Sequence, residues 1–389
     1  MTSVRCDAVV IGGGPAGLIA ARALAASGHA TVLVEEHGEI GYPVHCTGLL
    51  GVEAFDELAL SRQSIRAIVK AARFHGPDGE PVAIETDHIA AAVIDRGDFD
   101  AELAREATSH GADIRLGARV EHLSVDASGV TAHLSNGGRV EARATVLACG
   151  ANYRFNRALG LGVPSRLVQT AQAEVGFPAA AHVDVYIGRD LAPNGFGWVV
   201  PFERGGATCA RIGLMCSDRA RDRFERFVER IWTDRGLSLP RPEPRLKALP
   251  LAPVGRTFAD RVVAVGDAAG LVKPTTGGGI FYSLLSGTIA AGVLDGALTR
   301  DTLGARDLAA YERRWRARLG AEIRAGLAFR RLVARLDDRA LRAVMDLART
   351  DGLLPLLRRT GDFNWHRRAV LALLRHGGFR RAVLRSIWS

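Results

Sequence analysis

Lysine is nearly absent from this chain of 389 residues, occurring only at 70, 247 and 273, and aromatic residues make up only 6%. The five cysteines (Cys6, Cys46, Cys149, Cys209 and Cys216) are scattered, with no pair at the C-x-x-C spacing of a zinc knuckle or a redox couple. That pattern argues against a disulfide framework and a metal, and for a reducing compartment, the cytoplasm. No run of about 20 apolar residues goes uninterrupted, so no transmembrane helix is expected. The apolar run at residues 8–11 is too short for a signal peptide.

The net positive charge comes from one end. From residue 301 onward there are 20 Arg against 9 Asp and Glu, an excess of +11 that surpasses the net +9 of the whole chain. No nucleic-acid module accompanies this tail, so nucleic acid is not expected as a partner. Residues 365–388 put Phe379, Val383, Leu384, Ile387 and Trp388 on one helical face, with Arg380, Arg381 and Arg385 largely elsewhere. Such a helix either docks on its own domain or lies peripherally on an anionic membrane.

What is abundant is glycine in particular places. Residues 7–11 read as a buried strand, and Gly12-x-Gly14-x-x-Gly17, with Ala16 within it, follows and leads into a helix at 18–27. Gly12 permits the tight turn, Gly14 lets backbone approach a pyrophosphate, and Gly17 lets helix and strand pack closely. The helix start supplies free N–H groups and partial positive charge. Glu35 ends the next strand, where a carboxylate accepts ribose hydroxyls. A second motif decides between dinucleotides. The strand at 261–265 leads into Gly266-Asp267-Ala268-Ala269-Gly270, and residues 274–280, with Gly277, Gly278, Gly279 and Ile280, open a long helix. Asp267 suits a ribityl hydroxyl, and the glycine-rich helix start suits the pyrimidine edge of a flavin, where negative charge accumulates on reduction. A nicotinamide enzyme needs no such second site, so the cofactor indicated is FAD. Arg96, before a helix at 98–110 with Asp98 as N-cap, is placed to reach the pyrophosphate. Val120 is placed beside the adenine through its backbone.

Together these motifs resemble the flavoprotein superfamily that includes the aromatic hydroxylases, and within it the chain is most similar to the geranylgeranyl reductases. Residues 41–48 (GYPVHCTG) resemble that family's segment at the flavin, and residues 196–201 (FGWVVP) its aromatic motif. The resemblance implies flavin contacts at Cys46, Thr47 and Gly48 and a substrate tunnel lined by Phe196, Trp198, Val200 and Pro201. Cys46 itself is either a small packing residue or a weak acid assisting protonation of the reduced bond.

The fold implied is α/β and p-hydroxybenzoate-hydroxylase-like: a Rossmann-type FAD domain (1–70, 95–160 and 255–300), a β-sheet substrate domain (71–94 and 161–254) and C-terminal helices (301–389). The implied activity is saturation of C=C bonds in a polyprenyl chain on a lipid, quinone or chlorophyll-like molecule, with NAD(P)H or a ferredoxin-type protein as reductant. The alternative is a flavin monooxygenase or halogenase acting on a small aromatic or polyketide-like substrate. The replacement of the superfamily's Asp-Gly by Cys149-Gly150 weighs against an NAD(P)H-driven hydroxylase.

Overall fold

The computed structural model describes residues 3–178, 182–350 and 352–387, the last four of these as backbone alone. The chain divides into two compact units, each assembled from separated stretches. The first comprises residues 1–44, 95–166 and 250–323, and the second 45–94, 167–249 and 324–389. These limits differ from the expected ones at two places. The opening stretch of the first unit stops at residue 44, well short of 70. The basic tail is not a region of its own, because the division falls inside the helix Ala305–Val333. Its first half buries Leu308, Tyr311, Trp315 and Leu319. Tyr311 Oη donates to the Ala264 carbonyl at 2.8 Å and Trp315 Nε1 to Thr257 Oγ1 at 2.9 Å, which commits that half to the first unit.

In the first unit the strand Ser3–Ile11 lies inside a sheet, because residues 8–11 are apolar on both faces and wholly covered. Thr31–Val34 pairs with it on one side and Arg139–Leu147 on the other, with Val262–Ala264 beyond, all parallel. Their carboxyl ends therefore point the same way, the end at which open α/β sheets take ligands. The helix Pro15–Ala26 packs on Ile280–Arg300, where a Cβ on Gly287 would overlap the Ala16 carbonyl. That second helix is 21 residues long and holds an 18-residue stretch of mean hydropathy 1.4, enough by length and composition to cross a membrane, yet 72% of that stretch is buried and it serves as a core helix. The helix expected at 98–110 is Arg96–Ser109, and its N-cap is Asp95 rather than Asp98. The Asp95 carboxylate accepts from the N–H groups of Gly97 and Asp98.

The second unit holds a seven-stranded sheet in the order Arg245–Pro250, Leu167–Gly176, Ala207–Cys216, Phe196–Arg204, Val183–Tyr186, Ala71–His75, Val82–Glu85. It is mixed: Val183–Tyr186 runs parallel to Ala71–His75, since no hairpin joins them to dictate an antiparallel pair. One face buries Val199, Ile212 and Leu214 under Phe224, Phe227 and Ile231 of the helix Ala220–Asp234. The other packs Val200 and Phe202 with Val93. Four further helices, Asp338–Thr350, Leu353–Thr360, Arg367–Arg375 and Gly377–Ile387, close the chain. Phe379 and Val383 are buried with Leu336 and Ala340, so the apolar face of the last helix is docked on protein at these two positions. The side chains of Leu384, Arg385 and Ile387, and Trp388 altogether, lie outside the described residues.

Candidate active site

In the first unit the glycine-rich turn is shaped by what its glycines exclude and admit. Gly12 has φ +112°, and a Cβ there would overlap the Ala148 carbonyl; a Cβ on Gly17 would overlap the carbonyl of Gly12. At Gly14 there is open space within 4 Å. Two glycines thus close the turn and the third leaves it open. Gly14 is also the N-cap of Pro15–Ala26, and no side chain caps that helix. The N–H groups of its first turn lack intrahelical partners and favour an anion. Glu35 faces the turn. Its Oε2 accepts from Gly13 N–H at 2.6 Å, and its Oε1 accepts from His37 N–H at 3.0 Å and lies 2.5 Å from His37 Nδ1.

The second motif comes to the first. Gly266, some 250 residues later in the chain, has no room for a side chain, because Ala16 Cβ and Ser283 Oγ lie 3.0 and 2.9 Å from where its Cβ would be. The Asp267 carboxylate lies at the start of Ile280–Arg300, with Oδ1 3.2 Å from a Cβ built on Gly279. No side chain caps this helix either. Gly277 has φ +72°, and Gly278 packs so closely that a Cβ would stand 2.7 Å from Cε of Lys273, itself buried. Two groups that sequence reasoning missed brace the turn: Tyr153 Oη donates to the Asp267 carbonyl at 2.9 Å, and Asn156 Nδ2 to that of Ala268 at 2.8 Å. Burial raises the Tyr153 phenol well above its ordinary range, so it stays a neutral donor. Cys149 follows the strand Arg139–Leu147, and desolvation pushes its thiol up to about 12, which disfavours the thiolate.

Two expected cofactor contacts have partners within the protein. Arg96 Nη2 pairs with Asp100 at 2.6 Å, and the Val120 carbonyl accepts from the Arg154 guanidinium. The groups around the two turns fit a flavin dinucleotide: an open glycine at an uncapped helix start, a carboxylate just after the next strand, and a second glycine-rich helix start with its own Asp.

In the second unit the segment Cys46-Thr47-Gly48 is held by a polar network. Gly48 N–H donates to Cys46 Sγ at 3.4 Å, and Thr47 Oγ1 donates to Gln172 Oε1 at 2.9 Å. Arg211, fully buried, donates through Nη1 to the carbonyls of Thr47 (2.7 Å) and Ile94 (2.9 Å) and through Nε to Glu174 (2.8 Å). Its guanidinium also covers the Phe202 ring at 4.5 Å. A Cβ on Gly48 would overlap this guanidinium, which is why glycine stands there, at φ +72°. Desolvation acts to raise the Glu174 pKa, but Arg211 and Arg204 outweigh it and hold the carboxyl below its ordinary range.

The aromatic segment splits between two faces of its strand. Phe196, Trp198 and Val200 alternate onto one face, and Pro201 falls on the other. Phe196 and Trp198 meet edge to face with centroids 5.8 Å apart. Both are half-buried, whereas Val200 is fully buried beside Val93 and Phe202. Gln172, Arg211 and Glu174 carry no sequence motif, and only the strand register reveals them. Among the described residues no group of three or more His, Cys, Asp or Glu could hold a metal.

Two glycine-rich helix starts beyond parallel strands of one sheet, each with its own carboxylate, define the class: an FAD-dependent oxidoreductase. The chain belongs to the family described as lycopene cyclase protein, whose profile matches residues 7–348, and to the same family as the digeranylgeranylglycerophospholipid reductase of Methanoculleus marisnigri. That relative is 31% identical over 363 residues, covering 87% of this chain and 89% of its own length. Among solved structures, a geranylgeranyl bacteriochlorophyll reductase-like protein of Thermoplasma acidophilum superposes with a TM-score of 0.85 at 25% identity, with 99% of each chain covered. The halogenase PltM shares the fold alone, with a TM-score of 0.68 at 18% identity, 98% of this chain and 91% of that chain covered.

Proposed function

We propose that this protein saturates isolated carbon–carbon double bonds in prenyl chains carried by a lipid. The observation that carries the reading is the meeting of the two dinucleotide motifs at Ala16 and Gly266, in a chain whose relatives are named as reductases of digeranylgeranyl lipids. FAD, when bound, supplies the hydride that an unactivated alkene requires. Gly12, Gly14, Ala16 and Gly17 would hold its pyrophosphate, Glu35 its ribose, and Asp267 with residues 277–280 the ribityl chain and the pyrimidine edge. Electrons reach it from NAD(P)H or a ferredoxin-type donor.

The other carbon of the bond needs a proton, and Cys46 is the weak acid assigned to give it. Phe196 and Trp198 supply apolar surface for the chain, with Val200 packed behind them. Basic helices favour work at an anionic membrane surface. The contact is electrostatic rather than inserted at Phe379 and Val383, which are buried, while Arg358, Arg359, Arg368, Arg375, Arg380 and Arg381 are exposed. The test is mass spectrometry of a digeranylgeranyl lipid incubated with the reduced, FAD-loaded protein. A gain of two hydrogens per bond supports the reading. Unchanged lipid, or a product that has gained oxygen, overturns it.

A further inference from the structure

Across the sheet of the second unit, Gln172, Gly213 and Trp198 stand in one row on three neighbouring strands. Because Gly213 has no side chain, the indole of Trp198 lies over it: a Cβ there would stand 2.6 Å from Trp198 Cζ2. The ring thereby reaches across to Gln172, and Trp198 Nε1 donates to Gln172 Oε1 at 3.2 Å. The same oxygen accepts from Thr47 Oγ1 at 2.9 Å. Gln172 is about nine-tenths buried. One buried amide oxygen therefore ties the residue beside Cys46 to the indole of the aromatic segment. Both donors are neutral and half-buried, so losing the acceptor takes the protein partner from both at once.

We propose that Gln172 is a positioning residue for the reduction, setting the place of the Cys46 thiol and the tilt of the Trp198 ring through this shared oxygen. The inference rests on the reading of Cys46 and Trp198 as active-site groups. Gln172 itself gives up no proton. It fixes where the proton donor stands relative to the apolar wall that holds the chain, so its loss falls on turnover rather than on lipid affinity.

The test uses the FAD-loaded protein and two readouts, alkylation of Cys46 by iodoacetamide followed by peptide mass spectrometry, and saturation of a digeranylgeranyl lipid. Gln172→Leu should change the Cys46 labelling rate and lower kcat, each by about tenfold (~1.4 kcal/mol), with KM shifted less than about threefold and FAD content unchanged. Gln172→Glu keeps an acceptor for both donors and should restore both readouts to within about twofold. Wild-type labelling and kcat in Gln172→Leu would overturn the proposal. If that variant does not fold, Thr47→Val and Gly213→Ala each disturb one arm of the clamp, and wild-type labelling in both would overturn it equally. Should the wild-type protein leave the lipid unchanged, the functional reading fails while Cys46 labelling still decides the clamp.

Discussion

Replacing Glu174 by Gln should destabilise the second unit more than its half-exposed position suggests, because the cost is borne by Arg211. The Arg211 side chain is 0% exposed, and Glu174 is its ion-pair partner, at 2.8 Å. Removing one partner of a buried pair costs about 3–5 kcal/mol through the charge left behind. Two features reduce that here. The Glu174 side chain is itself 28% exposed, and Gln retains an oxygen for Arg211 Nε. The net expectation is about 2–3 kcal/mol out of a total of roughly 5–15. Arg211→Met removes the cation and leaves Glu174 its second partner, Arg204 at 2.6 Å, so Glu174 is not orphaned. It does deprive the carbonyls of Thr47 and Ile94 of a charged donor, for about 2–4 kcal/mol in all. With both changes no buried cation remains to be left without its counter-charge, so the double variant should cost little more than Arg211→Met alone. The coupling should approach 2 kcal/mol, roughly the full cost of Glu174→Gln. Urea unfolding of the wild type and the three variants measures it. Additive costs would refute the argument, as would a Glu174→Gln cost under about 0.5 kcal/mol. Acid adds a second signature. The folded pKa of Glu174 is depressed, so its contribution is complete above the unfolded carboxylate value, about 4.3, and is lost as pH falls through the lower folded value. Glu174→Gln should therefore lose less stability than wild type over that acid range.

In the first unit, Glu35→Ala and Asp267→Ala should each lower FAD content, by about 1.5–3 kcal/mol of binding, read from the flavin absorbance of dialysed protein. Retention of a full complement in both would remove these residues from the cofactor site. Gly17→Ala places a methyl on the Gly12 carbonyl and should abolish FAD retention, whereas Gly28→Ala, where the space is open though φ is +86°, should keep FAD and lose only stability; equal FAD content in the two would contradict the packing argument. Anionic liposomes should co-sediment the protein at low salt and release it as salt rises. Arg358→Gln with Arg359→Gln should weaken this contact, while Phe379→Ser should lower the unfolding midpoint through its buried site, and a Phe379 variant that stays folded yet loses lipid binding would show insertion instead.

How much of this was legible in the sequence follows the range of the interactions. The close packing at Gly12 and Gly17 was readable because it arises inside one strand–turn–helix unit, where spacing reports geometry. The N-cap at Asp95 was misassigned to Asp98 because two Asp three residues apart serve equally well by type. Asp95 ends the preceding strand with its carboxylate in reach of the Gly97 and Asp98 N–H groups. Gln172 and Arg211 were invisible for a different reason. Their partners lie 125 and 164 residues away at Thr47, and only register brings them together. The apolar face of the last helix was visible but ambiguous, since a hydrophobic stripe satisfies a membrane and a neighbouring helix alike. Leu336 and Ala340 decide it for Phe379 and Val383.

The central claim is that the alkene itself is the electron acceptor. The direct measurement is anaerobic: reduced, FAD-loaded protein is mixed with a digeranylgeranyl lipid while flavin oxidation and lipid mass are followed together. The account predicts that flavin reoxidises without oxygen, one equivalent for each double bond that gains two hydrogens. Flavin that stays reduced until oxygen is admitted, with lipid unchanged or oxygenated afterwards, would contradict it.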